Sequence, residues 1–120
     1  MSAFADMGGQ QQLRIWDGVS ARAVEGERLT IAVVELTPGS VVPEHSHDHE
    51  QLGICLSGGL RFRIGNERRD VVSGDSWRIG SDVPHEVAAG PDGAVVIEAW
   101  APAREDWRGL ERLDPAPFRF

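Results

Sequence analysis

The sequence predicts an all-β domain, a sandwich or barrel, on three observations. From Leu13 onward the chain runs in short apolar or alternating stretches of strand length, turn-forming residues separate those stretches at regular intervals, and no segment before residue 104 keeps a helical period. Neither an internal repeat nor a low-complexity linker interrupts this pattern.

In chain order, strands are expected at residues 13–16, 21–24, 29–36, 52–57, 60–64, 69–72, 76–79, 85–89 and 94–100. The breakers between them are Pro38-Gly39, Gly58-Gly59, Gly65-Asn66, Gly74-Asp75, Asp82-Val83-Pro84 and the run from Gly90 to Gly93. Residues 104–113 place acidic side chains early and Trp107, Leu110 and Leu113 three apart, which predicts a short covering helix, although Gly109 weakens it. The last residues, DPAPFRF, are too proline-rich to continue a helix and are expected to pack on the surface or against a partner subunit. The organisation expected is a flexible segment at residues 1–12, a barrel at 13–103, and a helix or tail at 104–120 within the same domain.

At 120 residues the chain is one domain, long enough to bury a core without disulfides. Its one cysteine, Cys55, cannot form an intrachain bridge. Residues 1–12 contain neither a basic leader nor an apolar segment of signal length, and no apolar run reaches membrane-spanning length, so a cytoplasmic location is expected. The net charge is −7 and there is no lysine. A nucleic acid needs a basic surface, so that class of partner is excluded, whereas one arginine fork can still hold a small carboxylate.

Three histidines within five residues carry the chemistry. His45, His47, His49 and Gln51 alternate in the stretch GSVVPEHSHDHEQLGICLSG, which on a straight strand would put all four on one face. A straight strand would set the first and last roughly 20 Å apart, far beyond one ion with bonds of about 2 Å, so the chain must bend, most naturally at Asp48 and His49. His45 and His47 then stay together, Gln51 returns from the far side, and His49 falls outside the ligand set. A downstream partner is needed, and His85, preceded by Pro84, is the remaining histidine. With a neutral amide at Gln51, the ion's divalent charge is left unneutralised, which favours Lewis-acid over redox chemistry. Zn, Ni, Mn and Fe all fit such a ligand set.

These residues resemble the first motif of the cupin superfamily: glycine, five residues, HxH, three or four residues, Glu or Gln, six residues, glycine. Gly39, His45, His47, Gln51 and Gly58 match it at each position, and Gly74 to His85 is similar to the second motif. Gly80 stands where the family usually has proline, Asp82 where it has glycine, and Ala89 where asparagine is common. The resemblance implies a double-stranded β-helix, a jelly-roll barrel, with a divalent transition metal inside, held by His45, His47, Gln51 and His85.

Near the end, IEAWAPAREDW places Glu98 and Trp100 on one strand face, with Arg104 just beyond Pro102. An acid, an aromatic platform and a guanidinium beside a metal suit a small carboxylated, oxygen-rich substrate. The residues alone leave a second reading for each, with Glu98 facing outward as a surface carboxylate and Trp100 and Trp107 serving as core or dimer contacts. HSHDHEQLG, followed by the acid, the aromatic and REDW, resembles the small single-domain cupins of the KdgF type, pectin-degradation proteins that open the ring of 4,5-unsaturated uronate monosaccharides. That resemblance runs from about Leu29 to Trp107 and implies catalytic roles for Glu98, Trp100 and Arg104; the family usually has Asp and Phe where this chain has Glu98 and Trp100. A cupin oxygenase, a biosynthetic cyclase or isomerase, and a non-catalytic ligand-binding cup are the alternatives. A homodimer is expected, with Trp107, Phe118 and Phe120 as contact candidates. Arg61, Arg63 and Arg78 are read as solvated outer-face residues, with Arg78 alone also a candidate for the mouth; Cys55 is assigned no chemistry.

Overall fold

The computed structural model describes residues 2–114, and its strands follow the alternation of the sequence closely. They are β1 (Leu13–Trp16), β2 (Val19–Glu25), β3 (Thr30–Leu36), β4 (Val41–His45), β5 (Glu50–Ile64), β6 (Glu67–Val72), β7 (Ser76–Ile79) and β8 (His85–Ala101), with short 3-10 turns at Met7–Gly9 and Glu105–Gly109. Every pairing is antiparallel. Strand order runs β1-β2-β3-β8-β5-β6, with β4 added to β8 and β7 to β5.

Two long strands make this a jelly-roll barrel. The first part of β8 pairs with β4 and the end of β5, and its second part pairs with β3 and the start of β5. Each long strand therefore serves two ladders and bends the sheet over itself. Apolar side chains of alternate parity fill the interior, including Ala21, Ala32, Val34, Cys55, Ile79 and Val96, all at most 4% exposed.

Three strands differ from the sequence expectation. Residues 52–57 and 60–64, expected as two strands, are one, and so are 85–89 and 94–100. The glycines between them bulge without turning the chain back: Gly58 pairs with Ala94 and Leu60 with Ala89, so residues 90–93 of β8 lie opposite Gly59 alone. Gly58 and Gly93 both take positive φ, 78° and 68°. No strand is expected at 41–45, yet β4 forms there although Pro43 lacks an N–H. It survives because it pairs at Val41, Val42 and His45, with a register shift across the proline.

The expected helix at 104–113 is only the 3-10 turn Glu105–Gly109, closed by Leu110 N–H to the Trp107 carbonyl. Beyond it the chain extends along β1. Arg14 N–H donates to the Glu111 carbonyl at 2.9 Å and Leu113 N–H to the Gln12 carbonyl at 2.8 Å, so sheet-type bonds claim the groups a helix would have used. Trp107 is buried as expected. Phe118 and Phe120 lie outside the described residues. In the N-terminal segment, the Met7 and Gly8 carbonyls accept bonds from the buried guanidinium of Arg22.

Candidate metal centre

The expected bend falls at Asp48 and His49, between the end of β4 and the start of β5. It brings His45 and His47 beside His85, which stands directly opposite His45 in the β4–β8 ladder. Ring centroids are 4.3 Å apart for His45 and His85, 4.9 Å for His47 and His85, and 5.6 Å for His45 and His47. One ring nitrogen from each lies within 4.8 Å of the others, a grouping suited to one metal ion. His49 lies outside the group; its backbone carbonyl accepts a bond from His47 Nδ1 at 2.9 Å.

The tautomers follow from the partners. His45 Nδ1 meets the Pro43 carbonyl at 2.8 Å and His85 Nδ1 the Val83 carbonyl at 2.9 Å, as His47 Nδ1 meets that of His49. A carbonyl only accepts, so each Nδ1 carries the proton and each Nε2 presents a lone pair, the arrangement that supports a metal-bound imidazole. Burial lowers the pKa of His85 to about 4 and that of His47 below its ordinary value, so both rings are neutral at pH 7. His85 Nε2 is buried with no hydrogen-bond partner among the described residues.

Gln51, 6% exposed, completes the pattern. Its Nε2 donates to Glu98 Oε2, which also accepts Trp77 Nε1–H at 3.0 Å. Oε2 accepts both bonds, and Gln51 offers it the amide nitrogen. Gln51 Oε1 is thereby turned to His47 Nε2 at 3.0 Å. Two lone pairs face each other there, and the buried Nε2 of His85 adds a third. Acceptors converging with no donor among them fit a bound cation.

A cavity of about 220 Å3 opens beside these groups, and Glu98, Trp100 and Arg104 all line it. The inward reading of Glu98 therefore holds over the outward one, while Trp100 lines the cavity and also belongs to the buried core, as its second reading had it. Burial pushes the Glu98 carboxyl up, against the lowering effect of its bonds from Gln51 and Trp77. With Oε2 doubly engaged, Oε1 has no protein partner among the described residues. Trp100 is 4% exposed and packs edge-on against Trp107, centroids 4.6 Å apart.

Arg104 is fixed from three sides. Its backbone N–H donates to Thr30 Oγ1 at 2.8 Å, its Nε and Nη2 bond both oxygens of Asp106 at 3.0 and 2.9 Å, and its guanidinium carbon stands 4.7 Å from the Trp107 ring centroid and 5.6 Å from that of Trp100. The outer guanidinium edge, with Nη1, keeps no protein partner among the described residues. Arg61 and Arg78 are exposed as expected. Arg63 departs from the solvated reading, since it is held by Glu44, Glu86 and the Gly65 carbonyl.

Trp16, Trp77 and Asp106 also line the cavity and were not singled out by the sequence. The alternation Ser76-Trp77-Arg78-Ile79, polar outside and apolar inside, carries the signal for Trp77. Asp82, where the cupin pattern usually has glycine, takes a φ of 62° and donates its backbone N–H to the His47 carbonyl at 2.8 Å. Aspartate tolerates that left-handed conformation, so the turn survives the substitution.

A family model described as a cupin domain matches residues 32–100. The pectin degradation protein KdgF of Dickeya dadantii is 26% identical over 93 residues, covering 76% of this chain and 84% of that protein. Among solved structures, an RmlC-like cupin from Shewanella frigidimarina superposes with a TM-score of 0.81 at 21% identity, covering 88% of this chain and 96% of the other. KdgF from Halomonas sp. superposes with a TM-score of 0.80 at 21% identity, covering 88% and 98%. The two structural likenesses speak to the fold.

Proposed function

The chain belongs to the cupin family, and from that premise we propose that it is a metal-dependent isomerase that opens the ring of a 4,5-unsaturated uronate monosaccharide to the linear keto form. The observation that carries this reading is one cavity lined at once by the three-histidine group, the buried Glu98 and the half-free guanidinium of Arg104. The likeness to the pectin degradation protein KdgF supports the choice of substrate.

Nε2 of His45, His47 and His85, with Gln51 Oε1, would hold the ion. Bound there, a divalent ion supplies Lewis-acid polarisation of a substrate oxygen. Arg104 binds the substrate carboxylate through its outer edge, while Asp106 keeps that edge aimed. Trp100 presents an apolar wall to the sugar ring.

Glu98 Oε1 is the atom that moves a proton. It takes the proton of the anomeric hydroxyl as the bond from the anomeric carbon to the ring oxygen breaks, leaving an aldehyde and an enolate. Return of that proton to the far alkene carbon yields the ketone, with no net gain or loss of atoms. A raised pKa is the direction such a group needs to work near neutral pH. Conversion of purified unsaturated uronates by metal-loaded protein, lost on chelation and regained on adding the metal back, tests the reading; no conversion by any of the Zn, Ni, Mn or Fe forms would reject it.

A further inference from the structure

Glu98, Gly53 and Trp77 are successive partners across three strands, with Gly53 of β5 opposite Glu98 of β8 on one side and opposite Trp77 of β7 on the other. Side chains two strands apart are separated by about 9.5 Å and by whatever stands between them. Here nothing does. The Trp77 indole lies in the space a side chain at Gly53 would occupy: a Cβ there would be 2.3 Å from Trp77 Cε2 and 2.4 Å from Nε1. Gly53 does not have positive φ, so its backbone does not require glycine; the space does. On the other side of Glu98 stands Ala32, equally small.

We infer that Trp77 is a positioning residue for Glu98, acting through the gap at Gly53. Its Nε1–H bond to Glu98 Oε2 fixes the rotation of the carboxylate, so that Oε1 is left for the cavity and Oε2 for Gln51. The same oxygen accepts the Gln51 amide N–H, so holding it in place also holds the point to which the Gln51 amide turns. Trp77 is itself steadied against Phe62, ring centroids 5.1 Å apart. The role of Glu98 in turnover belongs to the proposed function, on which this inference rests.

Trp77→Phe keeps the ring and removes the N–H. We expect it to lower kcat about tenfold or more, the scale of one hydrogen bond to a charged group, with KM unchanged. In a Glu98→Gln background the same substitution should cost almost nothing further, since Trp77 acts only through Glu98. A full, additive loss in that background would overturn the inference. A second readout needs no turnover: the indole 1H–15N signal of Trp77, identified by its absence in Trp77→Phe, should shift in both Glu98→Gln and Gly53→Ala. A signal that stays in place in both would overturn the inference whatever the activity. If the wild-type protein converts no uronate, the proposed function falls, and the indole signal still decides whether Trp77 holds Glu98.

Discussion

Gln51 turns its amide nitrogen to Glu98 and its amide oxygen to His47 Nε2, so one side chain joins the carboxylate of the cavity to the histidines of the metal centre. In the proposed metal site that orientation would make Gln51 a ligand whose aim depends on its neighbour.

Removing His85 takes one of three imidazoles and the most deeply buried of them, so His85→Ala should bind no divalent metal in elemental analysis after dialysis. Gln51→Ala leaves the three histidines in place and removes one neutral oxygen. Its metal Kd should rise by about 10–100-fold, the loss of one contact to a charge, measured by calorimetry. Equal loss in the two variants would contradict the division of roles.

Among the described residues Arg104 keeps one guanidinium edge free while Asp106 occupies the other. Arg104→Ala should raise KM for a uronate about tenfold or more. Arg104→Lys should recover little, because an ammonium cannot bond Asp106 and a carboxylate side-on together. A KM unchanged in the alanine variant would remove Arg104 from substrate binding.

The Arg104 bonds hold the Asp106 carboxyl below its ordinary value. A carboxyl lowered in the folded state binds its proton more readily when unfolded, so its contribution is complete above about pH 4 and is lost as pH falls through the lower folded value. Thermal melts of wild type and Asp106→Asn should therefore converge as pH drops below 4. A gap between them that widens on acidification would have the wrong sign.

Gly39 and Gly58, the two glycines that bound the histidine motif, both have positive φ, 73° and 78°. Around Gly39 a Cβ would meet nothing within 4 Å, whereas at Gly58 it would sit 2.0 Å from the Gly93 carbonyl oxygen. Gly39→Ala should cost about 1–2 kcal/mol in urea unfolding, the left-handed strain alone. Gly58→Ala should cost clearly more, since the β5–β8 bulge must also open.

Part of the three-histidine group was legible in the sequence because its information is local. His45 and His47 sit two residues apart, and reach alone required a bend that the chain makes at Asp48 and His49, whereas His85 comes from another strand. The alternation of Glu98 and Trp100 likewise carried their shared inward face. Pro43 hid β4, because a strand that pairs on either side of a proline looks like a loop one residue at a time. Gly58 and Gly93 hid the continuity of β5 and β8, since a glycine in a bulge and a glycine in a turn are the same letter, and only the partner strand tells them apart. Trp77 escaped for a related reason: its bond to Glu98 crosses a third strand and depends on a missing side chain at Gly53.

The central claim is that Glu98 moves a proton beside a metal held by the histidines. The direct measurement follows the ultraviolet absorbance of the conjugated alkene of an unsaturated uronate with metal-loaded wild type and metal-loaded Glu98→Gln at equal metal content. Absorbance should fall with the wild type and fall about 100-fold or more slowly with the variant, within the range that general acid–base catalysis supplies. Equal rates in the two proteins would contradict the account.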